Sequence, residues 1–301
     1  MPPSSRHPTS THAVWPTEGT LPLSAAIVCK DSVTTIGRTI RSLRGLAREV
    51  VVLDSGSTDG TLQLLHRMGV NAQHQNWLGY IAQKNCVLQM CRQPWIISLD
   101  SDESLEEDLR GAIVRALGGN EPSADGFEIN RKVYYKGAWL DHAWQPEWRL
   151  RLVRNGAAEW TGYDPHDELV LKSPTGRRER LDGVMRHDSI ESIAEFLAKQ
   201  CRHGRTAAKA LHARGKHSSM LSLVTSPTGA WLKQMVARSA WRDGWRGWLA
   251  AGAAAAAAFA KHAALIELDR APHNASSAGH DTRAAVDSVS GPSMHDGSGH
   301  A

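Results

Sequence analysis

Val51-Val-Leu-Asp-Ser-Gly-Ser-Thr-Asp-Gly-Thr61 joins a short, fully apolar run to a cluster of Gly, Ser and Asp. An apolar run without alternation marks a strand covered on both faces, which parallel sheets supply. A turn cluster directly behind it puts polar groups at the carboxyl edge of the sheet, where open α/β folds bind ligands. The pattern repeats on either side. Residues 23–29 read as the preceding strand, followed by a helix over 35–46 whose Ile36, Ile40 and Leu43 share one face. Beyond the cluster, Ser57 or Thr58 is expected to cap a helix running to Arg67. A short strand is expected at 70–73, a helix at 80–91 and a further buried strand at 95–99. Ser104 and Glu107 then read as a capping box opening the next helix. This alternation predicts an α/β fold with a doubly wound sheet.

After about residue 124 the alternation stops. Residues 126–133 and 148–153 read as strands flanking an aromatic-rich loop, so a mixed sheet is expected. Arg177, Arg178 and Arg180 suggest a solvated surface loop. Asp188 and Glu191 form a second capping box, and Ile190, Ile193, Phe196 and Leu197 give the helix after it an apolar stripe. The chain thus divides into a tail over 1–21, an α/β domain over 22–187, a helical C-terminal extension over 188–270 and a tail over 271–301.

Thirty-five Lys+Arg against 31 Asp+Glu leave a formal charge of +4, too mild a balance to imply a nucleic-acid partner. Hydrophobic residues at 41% and charged residues at 22% allow an ordinary core. The four cysteines form no C-x-x-C pair, which favours a reducing, cytoplasmic setting, and residues 1–20 hold no apolar stretch of the secretory kind. The Ala-rich run over 249–260 lies between Arg246 and Lys261, so no spanning helix is expected. Trp241, Trp245, Trp248 and Phe259 fall on one helical stripe flanked by Arg238, Arg242 and Arg246, which predicts a helix lying on an anionic membrane surface, the alternative being that the stripe packs on the α/β domain as core.

Asp100 and Asp102 stand two apart at the end of a buried strand, so extended geometry would point both to one face. Two convergent carboxylates suit Mg or Mn, which takes carboxylate oxygens together with substrate phosphates. The same acids would also complement the macrodipole of the next helix. Asp54 ends the neighbouring strand and either accepts hydrogen bonds from a ribose or base, or only shapes the Ser-Gly-Ser turn. A phosphohydrolase of the haloacid dehalogenase type also uses an Asp-x-Asp pair, but after its first strand and with Thr or Val two residues on. Here the pair follows a later strand and Ser104 holds that position.

Three segments, Val51 to Thr61, Gln83-Lys-Asn85 and Trp95-Ile-Ile-Ser-Leu-Asp-Ser-Asp-Glu103, resemble the nucleotide-sugar half of family 2 glycosyltransferases. Trp144-Gln-Pro-Glu-Trp-Arg-Leu-Arg-Leu-Val-Arg154 and Trp241-Arg-Asp-Gly-Trp-Arg-Gly247 resemble the bacterial subgroup that includes lipopolysaccharide inner-core β-1,4-glucosyltransferases. The resemblance runs over roughly residues 22 to 268, with several ordered motifs. It implies a GT-A fold, a UDP-sugar donor, a Mg or Mn cation, inversion at the anomeric carbon, and a cell-envelope glycan or glycolipid such as lipopolysaccharide core as acceptor. The implied setting is cytoplasmic, peripheral at the inner face of the cytoplasmic membrane.

By the same resemblance Asp54 contacts the nucleoside, Lys84 sits near the base or diphosphate, and Asp100 with Asp102 holds the metal on the diphosphate. Lys30-Asp31 stands where relatives place Asn-Glu, a nucleotide-contacting position from which Lys30 would reach a phosphate. His166, in Pro165-His-Asp167 where relatives carry His-Glu, is the expected third metal or diphosphate ligand. Inverting transfer needs a carboxylate to take the acceptor's proton. Glu147 stands where the subgroup has Pro-Asp before the Arg-Leu strand and is the expected base, with Asp141 its competitor and a surface ion pair of Glu147 with Arg149 or Arg151 the alternative. The departures at Lys30-Asp31 and Glu147 would also suit a glycan-binding scaffold that had lost catalysis, against which both Asp100 and Asp102 are kept.

Overall fold

The computed structural model describes residues 15–16, 20–119, 122, 124–163 and 166–270, with residues 163 and 166 described as backbone only. The tail expected over 271–301 and most of that over 1–21 lie outside the described residues. Trp15 is an exception to the tail reading, because its indole donates to the Ala47 carbonyl at 3.0 Å.

The first half alternates as the sequence predicts. Strand β1 (Leu21–Cys29) leads to helix α1 (Ile36–Leu43), β2 (Ala47–Asp54), α2 (Thr61–Arg67), β3 (Ala72–His74), α3 (Tyr80–Met90) and β4 (Trp95–Asp100). Next come β5 (Glu103–Leu105), α4 (Glu107–Leu117), β6 (Gly126–Tyr135), β7 (Ala138–Trp139) and β8 (Trp148–Arg154). A hairpin of β9 (Ala158–Tyr163) and β10 (His166–Leu171) and the long β11 (Arg178–His187) complete the strands. The main sheet runs in the order β3-β2-β1-β4-β8-β6-β11-β5. Its β1, β2, β3 and β4 pair parallel, whereas β8 runs antiparallel to both β4 and β6. The sheet is therefore mixed and the class α/β.

Both faces are covered. Ile36, Ile40 and Leu43 of α1 and Leu109, Ile113 and Leu117 of α4 pack with Leu23, Ile27 and Ile97 on one face. Val87 and Leu88 of α3 pack with Val51, Leu53, Ile96 and Trp160 on the other. Gly183, at φ +99, lets β11 bend past α4, where a Cβ would lie 2.4 Å from the Leu109 nitrogen.

Several local expectations are corrected. Helix α2 starts at Thr61 behind Gly60 rather than at a Ser57 or Thr58 cap; Asp59 accepts from the Thr61 nitrogen instead. Ser104 belongs to β5, pairs opposite Arg186 and caps nothing, so α4 begins at Glu107 without a side-chain cap. Asp188 does not cap a helix, because Arg186 holds its carboxylate at 2.8 Å; Ser192 caps instead, accepting from the Glu195 nitrogen at 3.2 Å. Arg178 and Arg180 lie on β11 rather than in a loop, which their exposed, charged side chains concealed.

The C-terminal extension is α5 (Ile193–His212), α6 (Met220–Leu232), a π-helical turn Lys233–Ala237, a tight turn Ala240–Asp243 and α7 (Trp245–Arg270). Gly204 of α5 lets α7 approach closely, since a Cβ there would meet the Ala257 carbonyl at 2.8 Å. Asp243 accepts hydrogen bonds from the backbone nitrogens of Asp141, His142 and Ala143, and Gln234 accepts from that of Trp144. The extension thereby holds the loop that carries Glu147. Two expectations change here. Gly244 breaks the stripe between Trp241 and Trp245, so the four rings do not share one helix, although each is more than half exposed. Helix α7 is long and apolar enough by length and composition to cross a membrane, because small contributions from many alanines add up around Lys261, and only 28% of its most apolar window is buried.

Candidate active site

The carboxyl ends of β1, β2 and β4 lie side by side, with Cys29 opposite Asp54 and Val28 opposite Asp100. Strand order reverses about β1, which opens a crevice at that edge. A cavity of about 1640 Å³ occupies it, walled by β4, β8, the β9–β10 hairpin and helices α5 and α7.

Charged side chains cross the floor in strict alternation. Asp167 pairs with Lys84 at 2.8 Å, and Lys84 with Asp100 at 2.8 Å. Asp100 lies 3.6 Å from Arg151, which reaches Glu103 at 2.8 Å. Glu103 also binds Arg131 at 3.0 Å, Arg131 binds Glu147 at 2.7 Å, and Glu147 binds Arg149 at 2.8 Å. Four carboxylates face four cations, so the chain is neutral in sum. Its hub is Glu103, which is 0% exposed and also accepts from the Asp100 nitrogen at 3.0 Å. Glu103, Lys84 and Arg151 are the most enclosed of these groups, and pairing offsets the cost of burying their charges. Against that burial, Lys84 and Arg151 hold the Asp100 carboxyl far below the usual carboxylate range. Asp100 and Asp167 likewise keep Lys84 charged, with the Trp160 ring 4.2 Å from its ammonium.

Asn85 fixes this arrangement from behind. Its side-chain amide exchanges two 2.8 Å hydrogen bonds with the backbone of Trp160, mimicking a strand neighbour for β9. The Gln-Lys-Asn segment thus ties α3 to the hairpin and delivers Lys84 to Asp167.

Asp102 stands outside the alternating chain. Its carboxylate lies 3.5 Å from His187 Nε2 at the end of β11. Burial raises its pKa, but His187, with a contribution from Lys199 of α5, brings it below the ordinary value. His187 Nδ1 is buried without a hydrogen-bond partner. Ser101 points away, its hydroxyl 2.8 Å from that of Ser32. A carboxylate beside an imidazole, opening on a cavity large enough for a nucleotide-sugar, is a donor set for a Mg- or Mn-like ion completed by phosphate oxygens. Among the described residues no group of three or more His, Cys, Asp or Glu is placed to hold a metal.

The other expected residues fare differently. Asp54 is 2% exposed and does not line the cavity. It accepts from the Gly56 and Ser57 nitrogens and from Ser57 Oγ, so it shapes the turn instead of presenting free oxygens to a nucleoside. Lys30 and Asp31 line the cavity mouth, where Asp31 accepts from the Thr58 nitrogen at 2.8 Å and joins the two ligand-edge loops. Glu147 lines the cavity, yet Arg131 and Arg149 take both its oxygens and hold its pKa down to about 2 against the opposing effect of burial. Both pairs lower its affinity for a proton, which favours a positioning role over that of a base. Asp141 stands outside the cavity, paired with Lys132, which removes it from the reacting face. The His166 side chain lies outside the described residues; its backbone opens β10.

Sequence reasoning missed Glu103, Arg131, Arg151, His187 and Lys199. Glu103 directly follows Asp-Ser-Asp, and the alternation of Arg149 and Arg151 with Leu150 and Leu152 was the available signal for a charged strand face. His187 carried none, since β11 itself was not read as a strand.

A mixed sheet with a carboxylate at the switch point and a long polar crevice defines a ligand-binding α/β enzyme domain. Residues 24–172 match the Glycosyl transferase family 2, so the chain carries a domain of that family. It is 28% identical over 258 residues to the lipopolysaccharide core biosynthesis glycosyltransferase LpsC of Rhizobium meliloti, covering 82% of this chain and 93% of that one. An uncharacterized glycosyltransferase of Rickettsia prowazekii is 27% identical over 260 residues, covering 84% and 89%. Among solved structures, S. aureus TarS 1-349 in complex with UDP-GlcNAc aligns with TM-score 0.42 and 14% identity over 82% of this chain and 91% of that one. The protein is a glycosyltransferase.

Proposed function

We propose that the protein transfers a hexose from a UDP-sugar, with inversion, to a cell-envelope glycan or glycolipid of the lipopolysaccharide-core kind. One observation carries this reading: a charge-balanced network crosses the cavity, while Asp102 and His187, 3.5 Å apart, line it outside that network. The similarity to LpsC supports the choice of acceptor class.

Asp102 and His187 would hold a divalent Mg or Mn ion together with the donor diphosphate. Such an ion stabilises the negative charge that builds on UDP as the glycosidic bond breaks. Around it, Lys84 and Arg151 fix Asp100, and Glu103 locks Arg131 and Arg151 so that the strand ends cannot rotate away. Lys199 and Lys30 line the cavity with no ion pair among the described residues and would meet phosphate oxygens, and Glu147 positions Arg131 and Arg149 on the acceptor side.

The site works at a cytoplasmic membrane surface in this reading. Helix α6 is rich in apolar residues, yet none of its residues is buried. Met220, Leu221, Val224 and Val236 join Trp241, Trp245, Trp248 and Phe259 in an exposed apolar set. Lys233 and Arg242 are exposed beside it, charges suited to anionic headgroups. Arg246 is not part of that set, because its guanidinium donates to the Tyr135 carbonyl at 2.9 Å.

A thermal-shift panel of UDP-hexoses with and without Mn tests the donor assignment, since a bound donor raises apparent stability by mass action. The reading expects one UDP-hexose to stabilise the protein more with Mn than without it. No shift with any UDP-hexose would oppose it.

A further inference from the structure

The segment between β6 and β8 is gripped by the extension at both ends. Arg246 donates to the carbonyls of Tyr135 and Lys136. Asp243 accepts from the backbone nitrogens of Asp141 at 3.0 Å, His142 at 3.0 Å and Ala143 at 2.7 Å, and Gln234 accepts from that of Trp144 at 3.0 Å. A separate apolar cluster, with Val133, Tyr135, Leu140 and Ala143 against Met235, Ala240 and Ala251, fills the space between. The far end of the segment, Trp144, Pro146 and Glu147, lines the cavity.

The turn that supplies Asp243 also faces outward. Asp243 stands between Trp241 and Trp245, both more than half exposed, and next to the exposed Arg242. It is closely packed from within: a Cβ on Gly247 would lie 1.7 Å from the Ala240 carbonyl oxygen, and the Trp245 ring meets that of Tyr135 edge-on at 5.9 Å. Packing this tight transmits a shift of either indole to the carboxylate.

Backbone strain gathers at the same contact. Of the four non-glycine residues with positive φ among the described residues, Lys136 (+46°), Trp144 (+61°) and Ser239 (+53°) lie here. Such conformations persist only where the surroundings over-determine them. Released from the contact, Ser239 would relax to negative φ and re-aim Trp241 relative to α6. Joint presentation of the exposed α6 residues and the two indoles thus belongs to the latched backbone, and a surface that engages both favours that backbone over the relaxed one.

We infer that Asp243 is a positioning residue that couples seating on an anionic lipid surface to transfer. Lipid contact at Trp241 and Trp245 holds the latch closed, and the latch holds residues 141–147 in the geometry that receives the acceptor. This rests on the membrane-surface glycosyltransferase reading and adds regulation to it.

The test is amide hydrogen exchange of the full chain, followed at residues 141–144 with vesicles of phosphatidylcholine alone or mixed with phosphatidylglycerol. The mixed vesicles should slow exchange there at least about fivefold, the low end of coupling between two sites, and phosphatidylcholine alone should not. Asp243→Asn should still co-sediment with the mixed vesicles yet lose that slowing. Transfer from the stabilising UDP-hexose to deacylated lipopolysaccharide core, a water-soluble acceptor that vesicles do not concentrate, should rise by a similar factor in the wild type and not in the variant. UDP affinity should stay within about twofold in both. Unchanged exchange in a wild type that co-sediments would overturn the inference without reference to any variant. Stimulation that survives in Asp243→Asn would equally overturn it. A wild type that fails to co-sediment would bring down the membrane reading and the inference with it, whereas absence of transfer alone would count against the acceptor, which the exchange measurement does not use.

Discussion

The sheet edge and the C-terminal extension handle charge in opposite ways. At the sheet edge eight charged side chains satisfy one another from Asp167 to Arg149, and the hub Glu103 is completely enclosed. In the extension, Lys199, Arg238 and Lys261 line the cavity with no ion pair among the described residues, and four aromatic rings are each a little more than half exposed. A satisfied network fixes geometry; unsatisfied groups are where ligands and surfaces bind. Asp102 is the point at which the two regimes meet, since it belongs to the sheet but is tuned by His187 and Lys199.

The sharpest way to break this contrast is through the hub. Glu103→Gln takes the shared, fully enclosed countercharge from Arg131 and Arg151 and leaves them only Glu147 and Asp100, respectively, which should cost about 3–5 kcal/mol and lower the melting midpoint by on the order of 10 °C. A midpoint within a degree or two of wild type would mean that the network does not hold the edge. Next, Glu147→Gln separates positioning from base catalysis. A positioning role predicts about tenfold loss of transfer with a lowered melting midpoint, whereas removal of a general base costs about a hundredfold or more at unchanged stability.

A third variant addresses the extension. Changing Trp241, Trp245 and Trp248 together to Ala should abolish co-sedimentation with vesicles containing anionic lipid and leave UDP binding intact; equal sedimentation would remove the membrane assignment. The smallest effect concerns acid. The folded-state pKa of Glu147 is about 2 against an ordinary 4.5, so its ionisation favours folding. That contribution is complete above about pH 4.5 and is lost as pH falls toward 2. Denaturation midpoints measured down this range should fall less steeply in Glu147→Gln than in wild type.

The parallel half of the fold was legible because β1, β2 and β4 are buried on both faces and read as continuous apolar runs. The β9–β10 hairpin and β11 were not, since Ala158-Glu-Trp-Thr-Gly-Tyr163 and Arg178-Glu-Arg-Leu181 are dominated by polar or charged side chains and give little apolar pattern. The site was legible where it coincides with a strand end, at Asp100 and Asp102. It was illegible where two distant segments converge, as His187 does on Asp102 across 85 positions of sequence. Asp54 stayed ambiguous between turn and ligand for a local reason: a turn Asp that satisfies its own backbone looks, in sequence, like one that awaits a ligand.

The central claim is that Asp102, and not Asp100, is the carboxylate facing the reaction. Parallel measurement of UDP release from the stabilising UDP-hexose and of melting midpoint, in Asp100→Asn and Asp102→Asn, tests it most directly. Asp102→Asn should lose at least about a hundredfold in turnover with a midpoint near wild type, while Asp100→Asn, which leaves Lys84 half-paired in the floor, should show its first loss in stability. Near-normal metal-dependent turnover in Asp102→Asn would contradict the account.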